Sequence, residues 1–145
     1  MTGTEALPET EDDLGGPESF TTLYERIYAK LDRLIGEWPP TGEVLRLTAP
    51  GLMDLLVEVL RRSGGSLRVS LAHYYEVGGD LVPDPDMELK VMPKTKMAEA
   101  LSYQDAFVHR EVYPEPEKVN VAVKADLNAF LDQWLSNLLD QGHQR

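Results

Sequence analysis

LMDLLVEVLRRSGGSLRVSLAHYYEV, residues 52–77, holds two apolar runs joined across Ser63-Gly64-Gly65. Two consecutive glycines reach the positive backbone φ that a tight turn between antiparallel strands demands, so the pair predicts a hairpin. The second run supports it. Leu67, Val69, Leu71, His73, Tyr75 and Val77 fall on one strand face, with Arg68, Ser70, Ala72, Tyr74 and Glu76 on the other. The first run fits two readings, because Leu52, Leu55, Leu56, Val59 and Leu60 also make a helical stripe. The alternation of Val57-Glu58-Val59 and the glycine pair after it favour a strand.

Working outward, LAHYYEVGGDLVPDPDMELKV (71–91) predicts a wide turn over Gly78 to Asp86. A strand follows in which Met87, Leu89 and Val91 oppose Asp86, Glu88 and Lys90. KMAEALSYQ and AFVHREVY read as further strands, stopped by PEPEK, and GEVLRLTAPG before the hairpin as a short one. The ends of the chain change period. Leu23, Tyr24, Ile27, Leu31, Leu34 and Trp38 form a helical stripe behind a Thr22-Leu23-Tyr24-Glu25 capping box, closed by Gly36 and Pro39-Pro40. Val123, Leu127, Phe130, Leu131, Trp134, Leu135 and Leu138 form a second stripe, with Gly142 at the place of a C-terminal cap. The expected fold is α+β: an N-terminal helix, an antiparallel sheet of about five strands, and a C-terminal helix packed on the sheet.

The 145 residues suffice for one hydrophobic core. Residues 1–18 carry six acids and no Lys or Arg, which predicts a disordered acidic tail ahead of a single domain over 19–142. The absence of cysteine removes disulfides and thiolate chemistry and suits a reducing compartment. With no basic, apolar leader and no run long enough to cross a bilayer, a cytoplasmic protein without membrane attachment is expected. A net charge of −11 works against phosphate backbones, so direct nucleic-acid binding is disfavoured, while a basic protein partner or mimicry of DNA is allowed.

The acids crowded at Asp80, Asp84, Asp86 and Glu88 raise the question of a divalent metal, with His73 as a further ligand. Their spacing is not that of a calcium-binding EF-hand loop, since the glycines precede Asp80 and two prolines interrupt the run. A strand-turn reading of the same residues needs no metal. No nucleophile elbow, phosphate loop or dinucleotide fingerprint is present.

The stretches APGLM, LAHYYEVGGDLVPDPDMELKV, SYQ, EVYPEP and DLNAFLDQWLSNLLDQG together resemble a bacterial domain of unknown function. PDPDMELKVMPKTKMAEALSYQ and LNAFLDQWLSNLLDQGH are also similar to the uncharacterised YqiB-like family. Both resemblances span about residues 43–142, and they imply no activity, cofactor or catalytic residue. KMAEAL lies closer to the YqiB-like pattern than to the first group. The functional expectation is therefore a non-catalytic binding or adaptor domain without a cofactor, able to form a homodimer through a sheet edge. Its surface is Arg68, Tyr74, Glu76, Asp80, Asp84, Asp86 and Glu88. The alternatives are a metal-dependent hydrolase using His73, Asp80, Asp84 and Asp86, or an acidic DNA mimic.

Overall fold

The computed structural model describes residues 21–145 and resolves the ambiguous run as strand from Leu55 onward. Helix α1 (Leu23–Ile35) leads into β1 (Val44–Leu47), β2 (Leu55–Ser63), β3 (Ser66–Val77), β4 (Asp80–Met92), β5 (Met97–Gln104) and β6 (His109–Glu111), and helix α2 (Val121–Asp140) follows. The expected acidic tail over residues 1–18 lies outside the described residues. Each strand pairs with the one before it, giving one antiparallel sheet in the order β1-β2-β3-β4-β5-β6. The sheet has six strands where about five were expected.

Local chemistry sets the boundaries. Gly64 and Gly65 turn β2 into β3 with φ of 59° and 82°, and Gly78 and Gly79 repeat the device between β3 and β4 at 58° and 90°. The second turn corrects the expected wide loop over Gly78 to Asp86: it is tight, and Pro83, Asp84 and Pro85 belong to β4. AFVHREVY likewise contributes only the three residues of β6. At α1, Thr22 Oγ1 accepts from the Glu25 N–H at 3.1 Å while Glu25 Oε1 accepts from the Thr22 N–H at 2.8 Å, so the capping box is complete. Asn120 caps α2 by accepting from the Val123 N–H.

Both helices cover the same sheet face. Ile27, Leu31 and Leu34 of α1 and Leu127, Leu131, Leu135 and Leu138 of α2 pack with the inward residues Leu55, Val57, Val69, Leu71, Met87 and Leu89 in one buried cluster. Full burial of such a side chain is worth roughly 1.5–3 kcal/mol, which makes this cluster the main source of stability. Two polar features lock the layers. Lys30 Nζ donates to Asp132 Oδ1 at 2.7 Å between the helices. Asn128, fully buried on α2, accepts from the Ala100 N–H at 2.8 Å and donates to the Lys124 carbonyl at 2.8 Å. Ala100 adjoins a bulge where Leu101 is the extra residue of β5 opposite β4, so the Asn128 amide satisfies a backbone donor beside a break in the ladder.

Candidate functional site

The helices leave the other sheet face open, and cross-strand register places Arg68, Tyr74, Glu76, Asp86 and Glu88 there. Arg68 Nε donates to Glu88 Oε1 at 2.8 Å across β3 and β4. One step along, Asp86 accepts from Ser70 Oγ at 2.9 Å and from the Tyr74 hydroxyl at 2.6 Å. Partial burial first, and then the Asp86 acceptor, push the Tyr74 phenol up to about 12. Arg68, Tyr74, Asp86 and Glu88 thus form a connected polar patch whose groups already satisfy one another. Glu76, opposite Leu81, continues the patch toward the hairpin tip, whereas Asp80 pairs with Val77 at the tip, on the other face.

The upper part of that hairpin extends past its neighbours. Pairing with β2 ends at Leu56 opposite Ala72, and pairing with β5 ends at Asp86 opposite Gln104. Beyond this level Tyr74 to Val77 and Asp80 to Pro83 pair only with each other. At about 3.3 Å per residue this makes an arm roughly 13 Å long with no strand on either edge. Tyr75 and Val77 continue the apolar alternation but lie on the arm and are exposed, as is Leu81 at 68 %.

The β5–β6 turn leaves the sheet at the same end. Asp105 organises it: Oδ1 accepts from the N–H groups of Phe107 and Val108 at 2.8 and 3.0 Å, and Oδ2 accepts from the Tyr103 hydroxyl at 2.8 Å. These donors, the Phe107 N–H foremost, hold the Asp105 carboxyl below its ordinary value, while burial and then Asp105 push Tyr103 up to about 12. The frame presents Phe107 to water with 92 % of its surface exposed, and Val108 beside it is also exposed. Leu52 and Met53, exposed in the β1–β2 connection, lie at this end as well. Sequence reasoning passed over Phe107 and Leu81. The available signal was a large apolar residue close to an aspartate: Phe107 two residues after Asp105, and Leu81 directly after Asp80.

His73, Asp80 and Asp86, three of the four residues considered as metal ligands, are separated by the fold. His73 points into the helix side, 8 % exposed, with Nδ1 2.8 Å from the Asp54 carbonyl and its ring 5.5 Å from that of Trp134. Burial lowers its pKa against the opposing pull of that carbonyl. Asp86 is engaged on the opposite face, and Asp80 lies at the arm tip. Among the described residues no three His, Asp or Glu side chains stand together as a metal ion requires. No described helix is long and apolar enough to cross a membrane.

Residues 26–144 match a protein-family model described as a domain of unknown function (DUF6908). No curated protein and no solved structure matches the chain.

Proposed function

The chain belongs to the DUF6908 family, and we propose that it is a protein-binding domain which engages its partner through the β3–β4 arm and the neighbouring Phe107 turn. One observation carries the reading: a hairpin free on both edges lies at the same end of the sheet as a side chain as exposed as Phe107, which a hydrogen-bonded turn holds in water. Large aromatic anchors beside a bare strand edge combine two common routes of protein recognition, pocket filling and strand addition. The charge around them selects the partner. Between Arg68 and Lys90 the chain has five acids, Glu76, Asp80, Asp84, Asp86 and Glu88, and no Lys or Arg. A basic segment with apolar side chains complements this end. A second copy of the chain, joined arm to arm, would bring like charges together.

The proposal needs no cofactor and places the protein in the cytoplasm. A bacterial source and kinship of the C-terminal half with the YqiB-like group belong to it too, on the stretches quoted above. The test is affinity capture from source-cell lysate with tagged wild type and with the Phe107→Ser/Leu81→Ser double variant. A basic protein held by the wild type near one-to-one and lost from the variant is the expected result. Identical captures, or a stable dimer by light scattering that the variant abolishes, would overturn it.

A further inference from the structure

The opposite end of the open sheet face carries a different chemistry. Arg61 on β2, Arg68 on β3 and Lys90 on β4 stand directly opposite one another in cross-strand register. Like charges placed this way repel, so the row costs stability unless something compensates it. A bulge creates the row. Glu58 pairs with Ser70 on the open face and Val59 with Val69 on the buried one, so simple alternation would send Arg61 inward. Leu60 is the extra residue, and its insertion returns Arg61 to the open face opposite Arg68. Bulges re-aim side chains in this manner beside functional sites.

The carboxylates nearby leave two of the three cations free. Glu88 is paired with Arg68. Glu99, opposite Lys90 on β5, accepts from the Tyr113 hydroxyl at 2.8 Å and lies 3.7 Å from Lys124 Nζ. Among the described residues Arg61 and Lys90 have no ion-pair partner. Together with Arg68 they line a shallow cavity of about 470 Å³, with Leu101, the extra residue of the second bulge, Tyr113 and the Glu99 carboxylate that Tyr113 and Lys124 engage completing its wall. That volume lies within the usual range of small-molecule sites.

We infer that this cavity binds a small organic phosphate, its phosphate on Arg61, Arg68 and Lys90 and its apolar body against Leu101 and Tyr113. Guanidinium forks match phosphate oxygens in pairs, and a compact oxyanion draws the three cations into one favourable arrangement. A long polyanion would meet the field of the whole −11 chain, whereas a ligand confined to the cavity sees mainly charges within about one Debye length, roughly 10 Å.

The inference is independent of the partner-binding arm and is tested with the full chain. Phenyl phosphate and inorganic phosphate are titrated calorimetrically at fixed ionic strength into wild type, Arg61→Ala, Lys90→Ala and Tyr113→Ala proteins. Phenyl phosphate is expected to bind with a Kd of about 1 mM or tighter. Loss of either cation weakens it about tenfold, in line with a charge-assisted hydrogen bond. Tyr113→Ala removes the preference for phenyl over inorganic phosphate. Both substituted cations are exposed, and circular dichroism confirms that the variants stay folded. Absence of binding at 10-fold the expected Kd, or affinity unchanged by the Arg61 and Lys90 substitutions, would overturn the assignment.

Discussion

Tyr74 and Asp86 are joined across β3 and β4 by a 2.6 Å hydrogen bond from the phenol to Oδ2, while Ser70 holds the other carboxylate oxygen. The bond sits at the base of the arm, where the paired sheet ends. Tyr74→Phe leaves the carboxylate with one side-chain donor and is expected to lower stability by about 1 kcal/mol. Urea unfolding measures this, and an unchanged midpoint would show that solvent replaces the phenol at no cost.

Two of the phenols that donate to carboxylates, Tyr74 and Tyr103, set an alkaline limit. Tyr74 and Tyr103 both ionise at about 12 in the folded chain, against about 10 when unfolded. The folded state keeps these protons longer, so their contribution is complete below pH 10 and disappears as pH rises to about 12. Stability should fall across that window, and a Tyr74→Phe/Tyr103→Phe variant should fall less steeply. Denaturant midpoints from pH 9 to 12 provide the comparison.

Asn128→Leu keeps the heavy-atom count and branching of the buried side chain and removes its acceptor for the Ala100 N–H. The stranded donor costs about 1–3 kcal/mol. Amide hydrogen exchange should show the loss locally, as faster exchange at Ala100 than at the inward strand residues of β3.

Phe107→Ser and Leu81→Ser remove apolar surface that already faces water. Each should change stability by no more than about 0.5 kcal/mol, which thermal unfolding can establish. Loss of partner capture in these variants then reports on recognition and not on folding.

The two glycine pairs, the capping box at Thr22 and the alternation from Leu67 to His73 made the frame of the fold legible in the sequence, because each depends on neighbours within a few residues. Pro83 and Pro85 misled the reading of β4. Proline argues against a strand where ladder bonds run on both sides, but these two lie in the portion of β4 above the β5 pairing, where one neighbour is missing. The exposure of Tyr75 and Val77 was hidden for the same reason: periodicity gives a residue's face, but a face is buried only where other elements cover it. The polar cluster of Arg68, Tyr74, Asp86 and Glu88 followed from alternation alone. Arg61 did not, since a bulge shifts the face of every later residue in its strand and leaves no mark in composition.

A chain made from its N-terminus meets a particular hazard in this topology. Every strand pairs with its predecessor, so the sheet can zip up from short loops while synthesis continues. Yet α2, which supplies part of the cover over the buried face, is made after every strand, and the Thr48–Gln144 bridge ties the segment before β2 to residues beyond that helix. Until the ribosome releases those residues, Val57, Val69, Leu71 and Leu89 stand without part of their cover. A product terminated before Val121 should therefore be captured by chaperones or precipitate, even though it contains every strand.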